Sequence, residues 1–388
     1  MTTISNKVRY YHSAMPGAPA LSGVAGALIG VLDACLVDGF DSKAIDSLTI
    51  TSSIAVAQIS AGHSYGEGDV LRISGATPVG LNSDWRLASV TASTVTFSVE
   101  GVGIPDGSAT GTMTALRAPA GWEKVFADGT TRAAYRSLDY AGHAGRVLYV
   151  NDADTTMARV QGFAEMTDID TGIAPFPTTT QVSGGLYWQK ANSTTGVRRW
   201  WLAADNRRLV FVPAWTTSTP EDPTSLYFGL LADVPPSDSG GTILTGPKTL
   251  SEATAVPYMT GVANGVLAHS TGDIAVAGYA VAGGGGGGSA PVRVLGRGIG
   301  NSGSSSYPPP PVSGEIYVEN PLITDQAPAH LRGRLVGPAH VFRDLDAGEY
   351  PAGKVIGSPG NGLAVFVVNS AFTPNFWALD LGTNGRWD

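Results

Sequence analysis

The sequence predicts a mainly β, multidomain chain of antiparallel sandwich or barrel units with one N-terminal helix. Three observations predict it. Short apolar runs of five to eight residues recur through the chain, bounded by Gly, Asp, Asn and Pro, the pattern of strands joined by turns. Plain period-2 alternation is visible in Val95-Thr-Phe97-Ser-Val99, which places one face inward and one outward. A helical stripe recurs at only one place, Leu21, Val24, Leu28, Leu32 and Cys35, at spacings of 3, 4, 4 and 3.

In chain order, residues 1–45 read as an extended arm followed by a helix over about Ala20–Val37. Pro19 sits at its first turn and Gly39 just past its end. Tyr10–Leu32 contains no Asp, Glu, Lys or Arg. Pro16, Pro19 and the glycines 17, 23, 26 and 30 interrupt it, so a span of roughly 20 apolar residues is not expected to cross a membrane. Leu32-Asp33-Ala34-Cys35 has the form of a lipoprotein cleavage box, but Asp33 falls inside the would-be apolar region, and a packed helix is the expectation.

Residues 46–117 read as a small β domain, with strands at Ser47–Ile54, Val70–Ser74, Trp85–Thr91, Thr94–Val99 and Thr110–Leu116. Residues 118–240 read as a central β body. Its strands are expected near Glu123–Phe126, Arg132–Ser137, Arg146–Asn151, Ala158–Glu165, Gly185–Lys190, Arg199–Ala204 and Arg208–Pro213. Residues 241–311 read as an irregular connecting segment, with a loop tip at Gly283–Gly288 and a stiff spacer at Ser302–Pro311. Residues 312–388 return to strands at Gly314–Val318, Leu331–Val336, Gly362–Val368 and Phe376–Leu381.

Composition narrows the function classes. Charged residues are 14%, apolar residues 43% and the net charge −8, a balance suited to burying surface against other subunits. The acidic balance and the absence of a basic run argue against nucleic-acid binding. One cysteine, Cys35, excludes an internal disulfide and a cysteine-ligated zinc site, and no cofactor is expected.

Four motifs invite chemistry. Gly62-His63-Ser64-Tyr65-Gly66 matches G-x-S-x-G, but no helix follows as a nucleophile elbow requires, so a hairpin turn is expected. Gly298–Gly303 matches G-x-G-x-x-G but leads into serines and prolines rather than a helix N-terminus, so a loop is expected. Asp152, Asp154, Asp168 and Asp170 are the clustered carboxylates. They are read as surface turns, with Ca²⁺ ligation the weaker alternative and glycoside hydrolysis, which needs acids about 5–9 Å apart in a cleft, weaker still. Trp188, Trp200, Trp201 and Trp215 with Tyr187, Tyr227 and Phe228 form an aromatic zone. Alternation puts Trp200 and Trp201 on opposite sheet faces, one in the core and the other against a neighbouring subunit or domain. Leu21, Val24, Leu28, Leu32, Trp200 and Trp201 are therefore the expected interface residues.

Two stretches carry a resemblance. Gly66, Gly68, Asp69, Leu71, Ile73–Ala76, Leu81, Asn82, Trp85, Val90, Ser93–Val99 and Ala109–Thr112 resemble the small β domains inserted in tail proteins of tailed bacteriophages. The stretch from Ala118-Pro-Ala-Gly-Trp122 through Pro177-Thr178, together with Ser13–Phe40, resembles an uncharacterised family of phage and prophage virion proteins. The resemblance covers most of residues 13–235. It implies a non-enzymatic structural subunit located in the virion, in the tail, tail tip or baseplate, with copies of itself and other phage structural proteins as partners. A head-decoration or head–tail connector protein, or a module binding a host surface glycan, are the alternatives.

Overall fold

The computed structural model describes residues 7–138, 146–214, 226–232 and 241–250. Beyond these it describes 273–279, 288–295, 317–319, 322–325, 331–342, 355–358, 361–369, 375–383 and 386–387. Trp215, the Gly298–Gly303 motif, Ser302–Pro311 and glycines 283–287 lie outside the described residues. The fold is mainly β and antiparallel, as the sequence predicts.

The small β unit is an eight-stranded curled sheet. Its strand order is Phe40–Ile45, Met113–Arg117, Val70–Ser74, Asp84–Val90, Thr94–Ser98, Ile54–Gln58, Ser47–Thr51 and Gly107–Ser108. Its first and last long strands pair, with Phe40 opposite Arg117, so the chain enters and leaves at one place. Leu48, Ile50, Leu71, Trp85, Val95, Phe97 and their neighbours form a core that belongs to this unit alone. The expected strand Ser47–Ile54 divides into two, because Ser52 and Ser53 both take positive φ and turn the chain into a hairpin.

The body begins before this unit and resumes after it. A five-stranded meander runs Trp122–Ala127, Arg132–Ser137, Val147–Asn151, Met157–Phe163 and Leu186–Gln189. It faces a nine-stranded sheet whose edge strand is Arg9–His12, followed by Trp200–Ala204, Arg208–Pro213, Leu226–Leu230 and Thr242–Pro247. The same sheet continues through Asp273–Tyr279, Gly288–Leu295, Leu322–Asp325 and Leu331–Arg334, across the boundaries expected at 240 and 311. A further five-stranded sheet contains Tyr317–Glu319, Pro338–Phe342, Asn375–Thr383, Asn361–Asn369 and Val355–Ser358.

Between the meander and the nine-stranded sheet lies one core. It includes Tyr11, Leu28, Leu32, Cys35, Tyr135, Val160, Trp188, Trp200 and Phe211. The opposite face of the nine-stranded sheet buries Trp201, Val210, Tyr227 and Ile243 with Leu379, Leu381 and Trp387. Every residue of Trp200–Ala204 and Arg208–Pro213 is buried, as expected where a sheet is covered on both sides.

The helix is shorter than its stripe predicts. An α-helix spans Ala27–Leu32 and continues as a π-helical segment, Asp33–Asp38. Leu21-Ser22 instead forms a short strand paired with Val197-Arg198, and Val24 lies before the helix. Gly23 explains the change, since a Cβ there would sit 2.0 Å from the Ser193 carbonyl oxygen. The helical segment ends at Gly39 as predicted (φ 75°), where a Cβ would fall 2.5 Å from the Arg117 oxygen.

Candidate functional site

Asp152 follows directly on the strand Val147–Asn151 and is fully buried. Its Oδ2 accepts the N–H groups of Leu28 at 2.8 Å and Ile29 at 3.4 Å, and its main-chain oxygen accepts the Gly26 N–H at 3.0 Å. The helix has no side-chain cap of its own, so a residue more than a hundred positions away satisfies its first donors. The Lys190 Nζ lies against Asp152 Oδ1 and donates to the Val24 oxygen at 2.9 Å. Burial pushes the Asp152 carboxyl above its ordinary range, although Lys190 and the two N–H groups pull it down. A second tie comes from Asp33, which accepts Lys124 Nζ at 2.7 Å and the Tyr135 hydroxyl at 2.9 Å.

The other three acids lie on exposed turns. Asp154 Oδ1 accepts the N–H groups of Thr156 at 2.7 Å and Met157 at 3.1 Å, which lower its pKa. Asp168 accepts the Asp170 N–H at 2.7 Å, and Asp170 pairs with Arg132, which also meets Asp128 at 3.0 Å. Asp152 thus corrects the surface-turn expectation, and the other three meet it. Among the described residues no three His, Cys, Asp or Glu side chains group to hold a metal ion, so the four acids do not assemble the calcium set. Their oxygens are committed to turns, the helix and cations.

Among the described residues the aromatic zone is core, apart from the half-buried Tyr187. Trp188, Trp200 and Tyr227 are fully buried, and Trp201 is 5% exposed. Trp188 Nε1 donates to Thr245 O at 2.8 Å and Trp200 Nε1 to Pro19 O at 3.0 Å, so both indoles are satisfied inside the chain. Trp200 and Trp201 do face opposite ways, into two cores of the same chain. The central core of this chain covers Leu21, Leu28, Leu32 and Trp200, which corrects the interface expectation for those four, whereas Trp201 packs with Leu379, Leu381 and Trp387 of the expected C-terminal domain, the neighbouring-domain alternative. Val24 alone of that set is open to solvent, at 56% exposure. Cys35, of the cleavage-box motif, is buried in the core. In the G-x-S-x-G stretch, Ser64 Oγ donates to Asp41 Oδ2 at 2.8 Å, whereas His63 Nε2 meets the Thr94 oxygen at 3.1 Å. The serine and histidine are not paired with each other, and the stretch is a loop between two strands of the small unit.

Sequence reasoning missed the densest charge cluster, at the base of the small unit. Asp84 receives Arg9 at 2.5 Å and Arg72 at 2.8 Å, and the Lys7 Nζ donates to its main-chain oxygen at 2.7 Å. Arg86 donates to Val8 O at 2.8 Å and Gly68 O at 2.7 Å. Arg117 pairs with Asp69 at 2.5 Å, and the Tyr11 hydroxyl donates to Ala118 O at 2.6 Å. A void no larger than a single water lies among Arg9, Tyr10, Asp69, Val70 and Arg117. Arg9 and Asp84 are 75 positions apart, Arg117 and Asp69 48, and Tyr11 and Ala118 107, so no local spacing betrays the cluster. This junction fixes the small unit against the arm that forms the sheet edge.

Among the described residues no helix is long and apolar enough to cross a membrane. The chain matches no family model, and no curated protein is significantly similar to it.

Proposed function

We propose that this chain is a structural subunit of a tailed-bacteriophage virion, in the tail or its tip or baseplate, that works by assembly rather than catalysis. One observation carries the reading. The two sequence blocks that resemble the virion family, Ser13–Phe40 and the stretch from Ala118, pack as a single body through Asp152, Asp33 and their shared core. The block that resembles inserted tail domains is an insertion into that body, entering at Phe40 and leaving at Arg117. The arrangement suits a rigid platform that displays an appended unit. The insert's outward face is free of charged side chains over three neighbouring strands, with Thr49, Thr51, Ile54, Val56, Thr96 and Ser98 on it.

Quantitative peptide mass spectrometry of purified particles, scaled to the major capsid protein, tests the reading. A few to about a dozen copies per particle is the expected result for a tail-tip ring. Hundreds of copies would move the protein to the head surface or tail tube. Absence from the particle would overturn the proposal.

A further inference from the structure

The pair formed by Asp152 and Lys190 holds more chemistry than a helix cap needs. Both side chains are fully enclosed, and the amine nitrogen lies against Oδ1 of the carboxyl group. Oδ2 is held by two main-chain N–H groups, from Leu28 and Ile29. The Leu28 N–H, at 2.8 Å, has the distance of a donor that stabilises the oxyanion of acyl transfer, and the Ile29 N–H, at 3.4 Å, stands as a longer second contact. A nucleophile, an electrophilic carbon and oxyanion donors therefore share one site. Removing an ion pair from water costs much of its solvation and narrows the gap to the neutral pair, amine beside carboxylic acid. The raised pKa of Asp152 points the same way, toward the protonated acid.

We propose that Lys190 and Asp152 condense to an intramolecular amide cross-link. The neutral Nζ attacks Cγ of the protonated carboxyl, and a C–N bond forms. The Cγ–Oδ1 bond breaks, and Oδ1 leaves as water with its own proton and one from Nζ. No oxidant, metal or cofactor enters the balance. Oδ2 becomes the amide oxygen and keeps its donors from Leu28 and Ile29. The link ties the end of Val147–Asn151 to the end of Leu186–Gln189, with the strand Met157–Phe163 between them in the sheet. It would close residues 152–190 into one covalent ring, to which the helix stays tied by the hydrogen bonds from Leu28 and Ile29. The proposal does not depend on the virion reading.

Intact-mass measurement on the purified full-length chain tests it. The expected mass is about 18 Da below that of the sequence, one water lost. Chymotryptic digestion should yield residues 150–163 joined to 189–200, with fragment ions placing the bond between Asp152 and Lys190. Lys190→Arg should restore the full mass and abolish the joined peptide. Asp152→Asn would lose ammonia instead, a deficit of about 17 Da. A wild-type chain at full mass with the two peptides recovered separately overturns the proposal, and this reading needs no variant to fold. A mass deficit without the joined peptide, as a succinimide would give, overturns it equally.

Discussion

The inserted unit and the body use β-structure differently. In the insert, Ser47–Thr51 and Ile54–Gln58 alternate between exposed and buried, with only the terminal Gln58 half-buried, because one side of the sheet meets a core and the other meets water. In the body, Trp200–Ala204 and Arg208–Pro213 are buried at every position, because the meander covers one face and C-terminal strands the other. The difference teaches that an aromatic-rich, charge-poor run need not mark a surface awaiting a partner. Here the chain supplies the second layer itself. It also explains where buried charge collects: at the seams between units, where Asp152 caps a helix and Asp84 receives two arginines.

The comparison can be broken most strongly at Trp200. Trp200→Ala should lower unfolding free energy by about 3–5 kcal/mol in denaturant titration, since it opens a cavity in a closed core. A loss below about 1 kcal/mol would mean that the indole is not core. At the seam, Asp84→Ala leaves Arg9 buried without its carboxylate, and a loss of about 3–5 kcal/mol is expected.

A smaller effect concerns His12, which faces Arg117 and Asp69 beside the same seam. Burial, helped by Arg117, lowers its pKa from 6.5 to about 4. Between those values the unfolded chain binds a proton that the native chain refuses. Stability therefore falls as pH drops through that window, by up to about 3 kcal/mol for one proton over the interval. Chemical denaturation across that range should show the slope, and His12→Gln should flatten it.

In the insert, Ser52-Ser53 occupies a two-residue hairpin with both φ positive, the geometry that Asn-Gly prefers. Replacing the pair by Asn-Gly should raise stability by about 0.5–1 kcal/mol in the same titration. Val24→Ser, at the one exposed position of the expected interface set, should change it by less than about 0.5 kcal/mol.

Much of the fold was legible because local pattern reports local geometry. Val70–Ser74, Arg132–Ser137 and Arg208–Pro213 fall where the sequence predicts, and most of the other predicted strands lie within one or two residues, whereas Ile54–Gln58, Leu226–Leu230 and Thr242–Pro247 were not foreseen. The strand Phe40–Ile45 was hidden, since its alternation is broken by Asp41, which takes positive φ. The helix start was misplaced because Leu21 and Val24 match helical spacing by coincidence; close approach at Gly23 overrides it. Of the candidate site, the turn roles of Asp154, Asp168 and Asp170 follow from their neighbours in sequence. Asp152 differs from Asp154 only through Lys190 and the helix, which the chain brings in from 38 and more than 120 residues away.

Native-state hydrogen exchange on the intact chain, followed against denaturant, tests the insertion architecture most directly. Amides of Ala57, Val95 and Phe97 should lose protection together, in one cooperative step. Those of Leu148, Val160 and Leu202 should do so in a different step with its own free energy. If both sets exchanged through one common opening at every denaturant concentration, insert and body would be a single cooperative unit, and the division drawn between them would be wrong.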